Sequence, residues 1–488
     1  MPHRAGGKSD PFEKSPESVP STPRSINVIT YNVFGLKFIA KYRRERLEEV
    51  GRRLAHLDSV PEIVGLQECW TQEDYNSIRN QTRHILPYAK YYFSGIFGGG
   101  LAILSRWPIE DSSMYRYPLN GRPTAFWRGD WYVGKGVACA SIRIGGGPKD
   151  IVEVFCTHLH APYESEPNDS YICHRTAQAW EIAKLMRGAA ERGHLVLGLG
   201  DFNMLPLSFA HRLIEARAPV KDAWRLLHPQ SSVGPASHPE ERSSGKQVPT
   251  ARFNLTENGA ASDGVFNTWR WSQDEQKKLF KGEKIDVEDE TPDPRAKRLD
   301  YIFVSCNSPS SGLGAPAWHV KDIKVGMTER HPTIGCSLSD HFSIEAILTQ
   351  QTGNCSPPLT DNPASSTSLD SSFYGDVLTM VHTYTERERQ QRRLRLTHFG
   401  SSVLVSIGSL TAVWWSPHHF VCFLLTLLST LGLGAGIVDG LIGGLFIGSE
   451  LRALKEFEWE IDNARKLSMG SGDGQGHLNS DQEQLSSY

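Results

Sequence analysis

"GVACASIRIGGGPKDIVEVFCTHLH", Gly136–His160, consists of two apolar runs joined by a glycine-rich break too short to hold a helix. Runs of this length, rich in β-branched residues, read as buried strands. Two successive strands without a crossover helix cannot belong to one all-parallel sheet. Working outward, strand-like runs recur at "SINVITYNVFG", "PEIVGLQECW" and "GLAILSRWPI" before this stretch, and at "HLVLGLGDFN", "KRLDYIFVS" and "SDHFSIEAIL" after it. Helix-like stretches intervene at "KYRRERLEEVGRRLAHL" and "CHRTAQAWEIAKLMRGAAER". The mixture predicts an α/β domain over residues 25–348, with a pair of mixed sheets flanked by helices. The polar segment from His228 to about Pro294, with its short "FNTWRW" island, reads as surface loops inserted in that domain.

A chain of 488 residues with 39% apolar composition can bury a large core. Its formal net charge of -3 argues against a nucleic-acid partner, which calls for a basic domain or stripe. The 8 cysteines include no C-x-x-C pair and read as reduced thiols. Residues 1–24 are polar and proline-rich, which predicts disorder. They hold no apolar signal core, so the catalytic part is expected in the cytosol. The Asn-x-Ser/Thr triplets at Asn168 and Asn254 are then accidental.

The C-terminal part has a different character. Residues 349–372 read as a linker, residues 373–398 as a basic juxtamembrane helix, and residues 449–488 as a cytosolic tail. Between them, Phe399–Trp415 and Phe420–Gly448 are long apolar runs, the second with Asp439 as its one charge. They predict two transmembrane helices, 399–448, folded as a hairpin with glycines along its faces. Arg387, Arg389, Arg392, Arg393 and Arg395 precede the first crossing, which puts that side in the cytosol. The same arginines attract anionic phospholipids, the expected activators. The expected location is an intracellular membrane, endoplasmic reticulum or mitochondrial outer membrane, crossed more than once.

Polar residues of one chemical kind close the predicted strands. They are Asn32, Glu68, His158 with His160, Asp201 with Asn203, Asp300, and Asp340 with His341. The set suits phosphoester hydrolysis with a hard divalent metal. Mg2+ takes oxygen ligands and usually only one or two carboxylates, so Glu68 is the candidate ligand with Asn32 beside it. His341 suits a general base by its near-neutral pKa, and Asp300 would hold its other ring nitrogen. Asp201 and Asn203 would orient water and a phosphate oxygen. His158 would act on the same phosphate as an electrostatic stabiliser or as the leaving-group acid.

"RGDWYVGKG", Arg128–Gly136, nearly matches a nucleotide-binding loop, but Gly136 stands where Ser or Thr is needed and a strand follows where a helix should. No nucleotide partner is expected.

The series N, QE, THLH, GDFN, RLDY, SDH resembles the endonuclease/exonuclease/phosphatase superfamily over roughly residues 25–348. The resemblance implies a DNase I-like four-layer sandwich of two mixed β-sheets and a Mg2+-dependent phosphodiesterase. Within it, "THLHAPY", the "NTW" at Asn267 and the "RGDWYVGKG" segment resemble the neutral sphingomyelinases, most of all the fungal inositol phosphosphingolipid phospholipases C. That likeness implies a membrane phosphosphingolipid substrate, carrying an inositol-phosphate or a choline-phosphate head group. It also implies roles for Asp340 beside His341, for Asn267, and for Asp130 and Lys135 as an activation or substrate pair. A DNase or abasic-site endonuclease would use the same catalytic pieces, and an inositol polyphosphate phosphatase shares the fold. Near-neutral charge and the hairpin disfavour the first, and "KRLDYIF" in place of a Cys-Asp-Arg stretch disfavours the second.

Overall fold

The computed structural model describes residues 22–164, 169–305, 317–350 and 369–470. Most of the expected disordered N-terminus, Asn168, most of the 349–372 linker and the end of the tail lie outside the described residues.

Two six-stranded sheets form the centre of the catalytic part. The strands are β1 (Ser25–Asn32), β2 (Ile63–Gln67), β3 (Tyr88–Tyr92), β4 (Leu101–Ser105), β5 (Ile109–Arg116), β6 (Gly136–Arg143), β7 (Ile151–His158), β8 (Leu195–Asp201), β9 (Val220–Asp222), β10 (Asp300–Ser305), β11 (Trp318–Gly326) and β12 (Ser343–Gln350). One sheet has the order β11-β12-β1-β2-β4-β3 and the other β5-β6-β7-β8-β10-β9. Each is mixed. β1 and β2 are parallel in the first, β7 and β8 in the second, and the remaining neighbours are antiparallel.

Side-chain alternation along each strand explains the layers. Ile26, Val28, Ile63 and Ile103 of the first sheet meet Val152, Val154, Leu197, Leu199 and Ile302 of the second in one buried cluster. The outward residues Ile29, Tyr31, Val64 and Leu66 are covered by helices Arg43–Leu54 and Gln72–Thr82. On the other side, Phe155, Val196 and Phe303 lie under helices Ile172–Glu191 and Phe209–Arg217. The result is helix, sheet, sheet, helix, as the sequence predicts.

Topology brings the polar strand ends together. β1, β2 and β3 run one way, while β12 runs opposite to β1. β7 and β8 run together and β10 opposes them. The C-terminal ends of β1, β2, β3, β7 and β8 therefore share one edge with the starts of β10 and β12.

The segment after His228 is more than surface loop. Ala251, Asn254, Ala260, Ala261, Ser262, Asn267 and Thr268 are buried, and Asn254 Nδ2 donates to Asp293 O at 2.9 Å. Polar composition misled here because the polar side chains among them are satisfied by protein groups rather than by water.

One helix, Ser371–Val413, carries both the basic stretch and the first apolar run. A second, His419–Leu441, continues through a π-helical turn at Ile442–Phe446 into the helix Ile447–Gly470. Both are long and apolar enough to cross a membrane. They meet closely, since a Cβ on Gly436 would collide with Ser402. Asp439, the one acid of the second apolar run, pairs with Arg395 and with His398 at 2.7 Å.

The polar ends of these helices dock on helix Ile172–Glu191, burying Phe373, Val377, Val381, Leu454 and Ile461 against Trp180 and Ala177. Two acids are buried in the joint. Glu450 Oε1 accepts from Tyr384 OH at 2.8 Å and faces His174 Nε2 at 3.1 Å, while Glu388 pairs with Arg387. Burial lifts both carboxyls to about 7. The charge of Glu450 adds to the rise at Glu388, whereas Arg122 and Arg387 oppose it at both. The folded chain thus keeps protons that the unfolded chain gives up near 4.5, so stability falls as pH rises from about 4.5 to about 7. Glu388→Gln removes one of these titrations. Its unfolding midpoint at pH 7.5 is expected to rise by about 1–2 °C, the shift for about 1 kcal/mol in a domain of this size. An unchanged midpoint would exclude a charge penalty at this joint.

Candidate active site

Asn32, the last residue of β1, lies between the two sheets. Its Nδ2 donates to Glu68 Oε1 at 3.1 Å and to Asp201 Oδ2 at 3.0 Å, while its Oδ1 accepts from Phe34 N–H at 3.1 Å. Glu68 just past β2, Phe34 and Asn203 all have positive φ, at 57°, 48° and 47°. Such backbone costs bulky residues about 1–2 kcal/mol and is found where a side chain must be aimed. Asp201 closes β8, and its Oδ1 accepts from Asn203 N–H at 2.9 Å.

His341 enters from the segment before β12. Its Nδ1 lies 2.8 Å from Asp300 Oδ2 and 2.8 Å from Ser262 Oγ, and its Nε2 faces Asp201 Oδ2 at 3.7 Å. An ionised carboxylate only accepts, so Nδ1 carries a proton here and Nε2 is the nitrogen turned toward Asp201. His158 Nε2 lies 3.6 Å from the same Asp201 oxygen. Lys135, buried at the start of β6, donates from Nζ to the carbonyls of His158 at 3.3 Å and Leu159 at 3.2 Å.

The charges in this cluster are unbalanced. Burial raises the Glu68 carboxyl, and Asp340 raises it further. Burial also raises Asp201, to about 7, with His341 opposing. Burial works against charge on His341, but Asp300 and Asp201 outweigh it and hold the imidazole well above its ordinary value. His158 is driven the other way, by burial and then by Lys135 and His341, and stays neutral at pH 7.

A cation fits this donor set. Ligand atoms of Asp201, Asp300 and His341 lie within 4.8 Å of one another, and Asp300 Oδ1 is buried without a hydrogen-bond partner among the described residues. Using Asp300 and His341 Nδ1 as ligands would break their mutual hydrogen bond, so the Glu68 and Asp201 side is the better fit.

The family model for the endonuclease/exonuclease/phosphatase family matches residues 29–341, from β1 to His341 itself. The chain belongs to this family. It is 39% identical to the inositol phosphosphingolipids phospholipase C of Schizosaccharomyces pombe, over 93% of this chain and 96% of that one. It is 32% identical to the protein of the same description from Saccharomyces cerevisiae, over 90% of each. It is 27% identical to sphingomyelin phosphodiesterase 2 of Rattus norvegicus, over 90% of this chain and 91% of that one.

The strand-end residues converge, but not every residue singled out in the sequence reaches the centre with its side chain. Asn32, Glu68, His158, Asp201, Asn203, Asp300 and His341 share the edge. Asp340 stands beside His341 with its Oδ2 3.8 Å from Arg270 Nη2, and its charge acts on the centre by raising the Glu68 carboxyl and the His341 imidazole. Asn267 spends its amide on backbone, donating to Ser339 O at 3.0 Å and accepting from Trp269 N at 3.1 Å, which clamps the segment leading into His341.

Asp130 and Lys135 make no ion pair among the described residues. Asp130 Oδ1 lies 3.8 Å from His160 Nδ1, inside a single helical turn, Asp130–Val133, between Gly129 and Gly134. Sequence reasoning missed Ser262 and Ser339. Ser262 touches His341 Nδ1, and Ser339 Oγ donates to Asn32 O at 2.6 Å and accepts from His341 N at 3.2 Å. Ser262 stands in no motif, and Ser339, although it opens the SDH motif, shows no role until the fold brings it to Asn32.

Proposed function

We propose that the chain is a Mg2+-dependent phospholipase C acting on phosphosphingolipids, which releases ceramide and a phosphorylated head group. What carries the reading is the His341–Asp300 pair facing the Glu68–Asn32–Asp201 group in a chain that matches an inositol phosphosphingolipids phospholipase C along nearly its whole length.

In this reading His341 Nε2 takes the proton of the attacking water as its oxygen bonds to phosphorus, the bond from phosphorus to the ceramide oxygen breaks, and that oxygen takes a proton from solvent water, to which His341 returns the one it gained. Asp300 holds the imidazole by Nδ1 and balances the charge it gains. Asp201 and Asn203 orient the water and a phosphate oxygen. Neutral His158 donates a hydrogen bond to the phosphate but has no spare proton for the leaving group. Lys135 is held behind His158 by the carbonyls of His158 and Leu159. A divalent ion held by Glu68, with Asn32 aligning the carboxylate, would supply Lewis-acid polarisation of the phosphate and draw down the proton affinity of His341.

The two long apolar helices form a membrane hairpin with the catalytic part in the cytosol, on an endoplasmic reticulum or outer mitochondrial membrane. A groove of about 430 Å3 beside Gly444 and Leu445, lined by Arg389, Arg392, Arg452 and Lys455, offers anionic phospholipid head groups a seat.

The test is hydrolysis by the purified full chain with Mg2+ in detergent micelles. Inositol-phosphate ceramide, choline-phosphate ceramide and plasmid DNA are the substrates. Turnover of one or both lipids is expected, and DNA cleavage without lipid turnover would overturn the reading.

A further inference from the structure

Two loops leave the active-site edge with apolar tips that the core does not take up. The β3–β4 connection, "FSGIFGGG", exposes Phe93, Ile96 and Phe97 by 70%, 73% and 62%. The loop after β1 exposes Phe38 and Ile39 by 92% and 68%. β1 and β3 run in the same direction, so both loops flank the mouth that Asn32 and Glu68 line. Large apolar side chains gathered in this way mark an interaction surface.

What covers that surface follows from its continuity with the hairpin. The backbone N–H groups of Ile96 and Phe97 donate to Tyr132 O at 2.8 and 3.3 Å. The Phe97 ring lies 6.0 Å from the Tyr132 ring, which contacts Trp131 at 5.1 Å. Trp131 stacks at 4.5 Å on Phe446, in the π-helical turn that ends the second apolar run. The apolar surface of the hairpin thus passes through Trp131 and Tyr132 to the loop tip. At the other loop, Lys37 Nζ lies 5.6 Å from the Phe38 ring, so a cation stands beside the apolar tip as it does in segments that lie in a lipid head-group layer.

The loop is also tied to the site at its base. Gly100 O accepts from Cys69 N–H at 2.9 Å, and Ser94 Oγ donates to Gly134 O, next to Lys135. A Cβ on Gly100 would stand 3.3 Å from Glu68 Cα, so there is little slack between the loop and the carboxylate.

We propose that Phe93, Ile96 and Phe97, with Phe38 and Ile39, insert into the surface of the bilayer that the hairpin crosses. The site mouth is then seated on the membrane, and a lipid head group reaches His341 without its chains leaving the bilayer. This rests on the phosphosphingolipid reading above and adds the surface by which the catalytic part engages lipid.

The test uses the full chain reconstituted in phosphatidylcholine vesicles that contain a long-chain phosphosphingolipid. A short-chain, water-soluble analogue is assayed in parallel. The double variant Ile96→Ser/Phe97→Ser is expected to hydrolyse the vesicle substrate about tenfold more slowly, because membrane seating scales with buried apolar area. Its rate on the soluble analogue is expected to match that of the unaltered chain. Ile96→Leu/Phe97→Leu is expected to restore the vesicle rate, which a damaged fold would not allow.

Equal loss on both substrates, or no loss on vesicles, would overturn the proposal. So would sedimentation showing a dimer for the unaltered chain in detergent and a monomer for the serine variant, because a second copy would then be the occupant. Failure of the unaltered chain on both lipids would instead sink the substrate reading itself.

Discussion

His341→Ala is expected to lower kcat by about 10²–10⁴-fold on whichever phosphosphingolipid is the better substrate, the range covered by a positioned acid or base. The fold is expected to survive, because the side chain serves the site rather than the core. Asp300 Oδ2 keeps Ser262 Oγ within 3.4 Å when the imidazole is gone. Asp300→Asn is expected to fall with it. An amide can donate to Nδ1 as well as accept from it, so the tautomer that leaves Nε2 basic loses its advantage. If the two residues act as a unit, the double variant is no slower than His341→Ala alone, since effects within one hydrogen-bonded group are not additive. A folded His341→Ala enzyme with nearly unchanged kcat would remove the base from this histidine. Additive losses in the double variant would separate Asp300 from it.

The layers were legible because apolar strands flanked by amphipathic helices have few ways to cover both faces. "GVACASIRIGGGPKDIVEVFCTHLH" became the antiparallel pair β6 and β7, with Val137 opposite Thr157 and Arg143 opposite Ile151. Strands that are half exposed or very short, Ile109–Arg116, Val220–Asp222 and Trp318–Gly326, left no comparable signal. Exposed positions need no hydrophobicity, and pairing rather than composition makes them strands.

In the site, residues that end a strand were conspicuous because a carboxylate or histidine after an apolar run is chemically out of place. Partners supplied from far along the chain were not. Ser262 meets His341 across a sequence separation of 79, and Ser339 meets Asn32 across 307. The pairing of Asp130 with Lys135 came from the likeness of "RGDWYVGKG" to the neutral sphingomyelinases, not from a residue pattern. Among the described residues the two make no direct ion pair, since Asp130 faces His160 and Lys135 faces the carbonyls of His158 and Leu159, yet Asp130 is the leading charge that opposes the effect of burial on the Lys135 ammonium.

Glu68→Gln separates charge from shape and is expected to give the second largest effect. Glutamine keeps the length of the side chain, but removes the negative charge that a hard divalent ion needs. The Mg2+ concentration for half-maximal activity is expected to rise about 100-fold, at or beyond the loss seen when residues supporting a metal ligand are removed. Stability supplies an independent reading with the opposite sign. Without metal, the Glu68 carboxylate suffers from burial and from Asp340, so the glutamine variant in chelator is expected to unfold at or above the temperature of the unaltered chain. Added Mg2+ then raises the midpoint of the unaltered chain, as any ligand of the native state does, and raises that of the variant much less. A general loss of packing would lower both midpoints and leave the Mg2+ increment in place. Should Glu68→Gln keep a normal increment while Asp201→Asn abolishes it, the ion belongs to the Asp201, Asp300 and His341 cluster, whose ligand atoms lie within 4.8 Å of one another. The imidazole would then be a ligand, and the base would have to be sought elsewhere.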